Sequence, residues 1–328
     1  MRRLSQFLPD GFTLGVLVAL VLAAFLPCRG EAARLVGIGG HIAIAVLFFL
    51  QGVRLSRQTV LAGMLHWRLH LVILTTTFVA FPLAGLVLLS LFGPVLAPPL
   101  HVGLLFLCCL PSTVQASVVF TSLAGGNVAA ALCSASLSSI LGVVLTPVLA
   151  GLLLHAQGAT SLSGVASIAL NLLLPFLLGQ AVQGPLGPWM KRHQKMARRI
   201  DIASVLLVVY GSISAATLSG MWSRLPLSSL LVLVAIDAVL LAVMLSAMAF
   251  AARRLGFARE DEIAIVFCGA QKSLVNGIPM ANALFSGVTV GFVVLPLTIY
   301  MQLQFMTCAA LARRYAASER RRVLQVGG

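Results

Sequence analysis

Apolar residues gather in this chain into blocks of about twenty, and those blocks are its dominant pattern. A helix crossing the hydrocarbon layer of a bilayer needs roughly 20 predominantly apolar residues. Ten windows qualify, near residues 11–27, 36–53, 70–91, 100–124, 127–154, 164–183, 200–221, 227–250, 261–285 and 289–311, separated by short turns rich in Gly, Pro or Arg. Two of the blocks are broken midway. Ser112, Thr113, Gln115 and Ser117 follow Pro111, and Gln271, Lys272, Ser273 and Asn276 precede Pro279. Backbone released from helical hydrogen bonding cannot face lipid, so such breaks predict chain that is enclosed by protein or lines a water-filled solute path.

Composition agrees with a polytopic, all-α membrane protein. Of 328 residues, 60% are hydrophobic and 9% charged, and no Asp, Glu, Lys or Arg occurs from Leu69 through Met190. A net charge of +14 would suggest a nucleic-acid partner in a soluble chain, so the placement of the charges decides. Threading ten spans from an inside N-terminus puts eighteen of the 22 basic residues on one side, including Arg54, Arg68, Arg198, Arg253 and Arg259. Only Arg29, Arg34 and Arg224 fall on the other side, and Lys272 lies within a span. This obeys the positive-inside rule. It predicts an inner (plasma) membrane protein with both termini cytoplasmic, the lipid bilayer as its partner, and no nucleic acid. Arg2 and Arg3 before an apolar run ending at Pro27 and Cys28 could open a signal peptide, but the run is long, no small-x-small site follows, and further spans come at once. The six cysteines lack CxxC spacing and read as small apolar residues, with no disulfide or metal implied.

The turn from His155 to Ser163 divides the ten spans five and five. An odd count per half turns the second half upside down relative to the first, the inverted repeat found in many secondary transporters. The predicted architecture is one membrane domain, with repeat one at about 11–154, repeat two at about 164–313, and a cytoplasmic tail at 314–328. The broken spans are the fourth of each half. Gly142 with Pro147 and Gly291 with Pro296 repeat at equal separation. Two broken spans in matching positions would cross near the midplane and bring opposed half-helix ends together, with N-termini attracting anions and C-termini cations.

The strings FFLQGVRLS (48–56), GGNVAAALCSASLSSILGVVLTP (125–147), IVFCGAQKSLVNGIPMANALF (265–285) and LPLTIYMQLQ (295–304) are more specific. They resemble the bile acid:sodium symporter superfamily, and its SBF-like branch related to solute carrier family 10 member 7 type proteins. The resemblance implies ten helices in two inverted five-helix repeats, a panel and a core domain, and crossing helices 4 and 9. In sodium-coupled members the crossing holds two sodium ions beside a cavity for organic acids. Matched residue by residue, Ser117, Gln271 and the backbone from Cys268 to Ala270 fall where those members bind cations, with Thr77, Ser134 and Ser136 as neighbours. Phe267 stands where they carry a sodium-binding Glu, Thr77 where they carry a Gln, Val118 where they carry an Asn, and Lys272 where they carry an uncharged Asn. The implied coupling ion is therefore sodium, at a site whose ligands are partly replaced.

An ionised Lys at the centre of a span costs roughly 2.5 to 3.5 kcal/mol on insertion scales, so something must offset Lys272. Three readings are open: its ammonium stands near released carbonyls in place of a sodium ion and attracts an anionic substrate, or it carries protons, or it merely snorkels or ties the crossing together. Asp237, the only acidic residue deep in a span, is expected to pair with a cation or with Lys272, or to lie buried against a neighbouring Ser or Thr. Gln115 and Asn276 suit solute binding, whereas Asn127 and Asn282 suit capping or packing. His66 and His70 have the i, i+4 spacing of a zinc pair but read as an interfacial belt beside Trp67 and Arg68. His41 and His101 read as packing or interface residues, and the Gly11–Gly15 pair as helix packing.

Three function classes compete. The first is secondary active transport of an organic anion, sodium-coupled, by alternating access; its variant is a sodium-independent carrier, proton-coupled or exchanging, that uses Lys272 in place of a bound sodium. The second is an intramembrane hydrolase, disfavoured because only one membrane carboxylate is found and no GxSG is present. The third is a transporter-fold membrane regulator or sensor. No catalytic residue is expected.

Overall fold

The computed structural model describes residues 11–54, 66–155, 162–285 and 288–326. Every regular element among them is helical: α1 Gly11–Phe25, α2 Gly30–Arg54, α3 Trp67–Phe92, α4 Pro98–Cys109, α5 Val114–Leu123, α6 Val128–His155, α7 Leu162–Ala181, α8 Gln183–Arg192, α9 Gln194–Leu218, a short 3-10 turn Trp222–Arg224, α10 Leu227–Arg254, α11 Arg259–Ala270, α12 Leu274–Leu284 and α13 Val288–Val326. Among the described residues seven helical stretches are long and apolar enough to cross a membrane, counting α11 and α12 as one, and eight if the pair α4 and α5, bent by 62°, forms one span.

Local chemistry sets the ends. Gly30 takes φ +58 after Pro27, and Glu31 in the first turn of α2 faces the positive end of the helix dipole. Helix α2 thus begins six residues before the predicted window. Pro98 and Pro99 open α4, where missing N–H groups cost nothing. Asn127 caps α6 by accepting from Ala130 N at 3.0 Å, and its Nδ2 donates to Asp261 Oδ1 at 2.8 Å. The turns before α6 and α11 therefore lie on one side, the side where Glu262 gathers Arg253, Arg259 and Tyr315. The basic stretch 184–199, between two predicted windows, is helical: α8 and the start of α9 occupy it. Residues 314–326 continue α13, a single helix of 39 residues.

Packing divides the helices into two groups. Helices α1, α2, α7 and α9 pack on one another, and α3 to α6 pack with α10 to α13. The first group is cemented by small residues. A Cβ on Gly52 would stand 2.1 Å from Phe176 O, and one on Gly179 would stand 2.1 Å from Phe49 O, so α2 and α7 touch main chain to main chain. The groups meet chiefly where α6 packs on α7 and α13 on α9, and also where α12 packs on α7 and α9. Helix α5 has its main neighbours within its own group, in α6, α11 and α13.

Candidate functional site

Prolines create the breaks. Pro111 has no N–H, so α4 ends at Cys109 and its final carbonyls need other donors. The chain runs through Leu110, Pro111, Ser112 and Thr113 without helix and restarts as α5. Gln271, Lys272 and Ser273 separate α11 from α12 in the same way, without a comparable bend. The two breaks touch. Ser273 N donates to Pro111 O at 2.9 Å, and Ser112 Oγ donates to Cys268 O at 2.7 Å.

Lys272 is 1% exposed, and its surroundings show what offsets its burial. Nζ donates to Thr77 O at 3.0 Å, Cys108 O at 2.9 Å and Leu110 O at 2.7 Å, and lies 3.9 Å from the centre of the Phe81 ring. An ammonium has three donors, so the set is complete. The ring face adds a cation–π attraction. Each carbonyl is free for a reason legible in the chain. Helix α3 widens into a π turn over Thr76–Ala80, where Phe81 N bonds Thr76 O. The next donor in that register would come from Pro82, which has none, and Thr77 O is left for Lys272. Cys108 O and Leu110 O are the C-terminal carbonyls of α4, where the dipole favours a cation. Cys109 O between them takes Thr146 Oγ1 at 2.8 Å.

The main chain of Lys272 is held by Gln304 of α13. Gln304 Oε1 accepts from Lys272 N at 2.9 Å, and Nε2 donates to Lys272 O at 3.0 Å, so one side-chain amide replaces the peptide partners that the break removed. Tyr300 OH closes Ala270 O at 2.8 Å in the same manner. Ser117 Oγ donates to Gln271 Oε1 at 3.1 Å, and Ser273 caps α12 by accepting from Asn276 N at 3.2 Å.

A cavity of about 750 Å³ adjoins the breaks. Thr113, Gln115 and the first turn of α5 line it together with Gln302, Gln304 and the exposed Arg198 of α9, and its remaining wall is largely apolar. Among the described residues no Asp or Glu lines it, while Arg198 does and Lys272 borders it with its ammonium turned into the breaks. Thr113 does not cap α5, so the helix N-terminus offers backbone N–H groups to an anion.

The predicted residues thus divide. Ser112, Ser117, Cys268, Ala270, Gln271, Lys272 and Ser273 form the joined breaks; Thr113 and Gln115 face the cavity; Asn276 accepts from Gln51 of α2. Thr77 contributes its carbonyl, while its hydroxyl is spent on Ile73 O at 2.8 Å. Ser134 turns away to His70 Nδ1 at 2.6 Å, and Ser136 is half-buried with no bond to the breaks among the described residues. Ser138 and Ser139 reach the break instead, through Ser112 N at 3.0 Å and Ser112 O at 3.3 Å. His70 is buried inside the helix group, which corrects the interfacial reading, while His66 stays exposed. No cluster of metal-ligating side chains occurs among the described residues. Asp237 is fully buried and pairs with neither Lys272 nor a Ser or Thr; both its oxygens lack a partner among the described residues. Sequence reasoning missed Gln51, Gln304, Tyr300 and Thr146. Polar residues inside otherwise apolar windows were the available signal.

Residues 10–317 match the model of the SBF-like CPA transporter family. The chain is 51% identical over 313 residues to the protein named "Uncharacterized protein PA2026" of Pseudomonas aeruginosa, covering 95% of this chain and 94% of that one. It is 49% identical over 308 residues to the "Putative symporter YfeH" of Escherichia coli strain K12, covering 93% and 92%. It is 30% identical over 325 residues to the sodium/bile acid cotransporter 7 of Mus musculus, covering 95% and 94%.

Proposed function

Because the chain belongs to the SBF-like CPA transporter family, a family of transporters and not of enzymes, we propose that it is a secondary active carrier of an organic anion working by alternating access. The observation that carries this reading is the cavity beside the joined breaks, which among the described residues is lined by Arg198 and by no Asp or Glu, with the start of α5 open to it. In this reading the ten predicted spans form two inverted five-helix repeats in the inner membrane with cytoplasmic termini. Helices α1, α2, α7 and α9 act as the panel, and the other group moves as the core. The solute's negative group sits at the N-terminal ends of α5 and α12, where N–H groups and dipoles favour it, and its apolar body lies against the remaining wall.

Coupling is the second question. A sodium ion fits poorly beside Lys272, because the ammonium already engages the carbonyls of Thr77, Cys108 and Leu110. This favours the sodium-independent form of the carrier, in which Lys272 supplies a tethered positive charge where sodium-coupled relatives would bind the ion. The sodium-coupled form would rely on Ser117 and Gln271. Uptake of an organic-acid panel into proteoliposomes, with thermal stabilisation measured in parallel, separates these readings. The expected result is saturable uptake that sodium leaves unchanged, lost in Lys272→Met and made sodium-sensitive in Lys272→Asn. Sodium-dependent stabilisation of the unaltered protein would restore the symporter, and failure of every acid to stabilise or to cross would leave the regulator.

A further inference from the structure

Two hydrogen bonds fasten the short helix α12 to the panel group, and they come from different helices. Gln51 on α2 donates through Nε2 to Asn276 Oδ1 near the start of α12. Near the end of α12, Ser212 on α9 shares its one hydroxyl proton between Asn282 Oδ1 at 2.6 Å and Val208 O of its own helix at 2.5 Å. The acceptors are held in place: Asn276 N is bound to Ser273 Oγ at 3.2 Å, and Asn282 Nδ2 donates to Ile278 O at 3.0 Å. The donors are also linked, because Arg54 of α2 pairs with Asp201 of α9 at 2.6 Å. Helix α5, which restarts after the other break, borders the cavity and packs chiefly within the core group. The panel is therefore shut against α12 and parted from α5.

We propose that Gln51 and Ser212 form a clasp that fixes which end of the solute path is open, and that Gln51 is a positioning residue for Asn276. The proposal rests on the alternating-access reading. A path along α12 can open only when panel and core separate there, which breaks both bonds. Asn276 lies apart from the main cavity, in a small pocket that it shares with Gln51, Arg54 and Asp201, so the clasp is a contact between panel and core and not part of the solute's own wall.

Hydrogen exchange on the full chain in lipid nanodiscs tests this without any solute. The variants are Gln51→Leu, Ser212→Ala and the double change. Amides of 274–284 should exchange about threefold faster in each single variant and about eightfold faster in the double, as expected for side-chain bonds of ordinary strength between membrane helices. Amides of 114–123 should slow as the opposite end closes. The length-swapped pair Gln51→Asn with Asn276→Gln should return exchange toward that of the parent. Unchanged exchange in α12, equal acceleration of α5 and α12, or no recovery in the swapped pair would each overturn the clasp. A confirmed clasp in a protein that moves no solute would overturn only the carrier reading.

Discussion

Ser273 donates its backbone N–H to the carbonyl of Pro111 at 2.9 Å, a main-chain bond that runs from one interrupted span to the other. Pro111 supplies no N–H of its own, and the hydroxyl of Ser273 is occupied in capping α12. Polar groups released at one break are therefore answered largely by the other, by Lys272, and by Gln304, Tyr300, Thr146 and Ser138 from the neighbouring helices. Among the described residues Gln271 Nε2 lacks a partner, but in a buried network so nearly complete, removing one member leaves others bare.

Gln304 is the sharpest case. Gln304→Met keeps the length of the side chain and removes both bonds to the main chain of Lys272. Leaving two buried backbone groups unanswered costs about 1–3 kcal/mol each. The variant should unfold at clearly lower temperature than the parent in matched detergent, followed by circular dichroism. An unaltered midpoint would mean that Lys272 N and O find other partners.

The contact of α2 with α7 gives a prediction of a different kind. A methyl group at Gly52 or Gly179 meets a carbonyl oxygen of the facing helix at 2.1 Å, and backbone cannot swing aside as a side chain can. Gly52→Ala and Gly179→Ala should each destabilise by about 1–3 kcal/mol. Both act by forcing apart the same pair of helices, so the double variant should cost less than the two single costs together. Additive losses would show that the two contacts are independent.

The sequence was most legible where a single residue type dictates backbone behaviour. Apolar blocks located the helices, and Pro111 with the polar run from Gln271 located the breaks, because a missing N–H and a cluster of amides act locally. Partners were not legible. Nothing near Thr77 in the chain says that Lys272 takes its carbonyl, because Pro82 deprives Thr77 of a donor only once the π turn has drawn Phe81 N to Thr76 O. The choice among Ser134, Ser136, Ser138 and Ser139 depends on the rotation of α6 about its axis, which is set by packing against α4 and α11. The basic stretch before α9 falls between two apolar windows because its charges and prolines interrupt the hydropathy pattern, and α8 forms there by packing on α2.

Asp237 lies in the middle of α10, fully buried, with neither carboxyl oxygen hydrogen-bonded among the described residues. Lys272, the nearest thing to a natural counter-charge in the sequence, is fully engaged with three carbonyls and Phe81. A buried polar group without partners lowers stability, and replacing it by an apolar group of similar size removes that penalty. Asp237→Val should therefore raise the stability of the resting protein by about 1–3 kcal/mol, read as a higher unfolding midpoint. Proteins keep such a residue against its cost when it acts at another stage of a cycle. The same variant should then carry solute more slowly while being the more stable protein. A variant that is less stable than the parent would show instead that the carboxyl has a structural partner in the resting state, and unchanged uptake would remove Asp237 from the transport cycle.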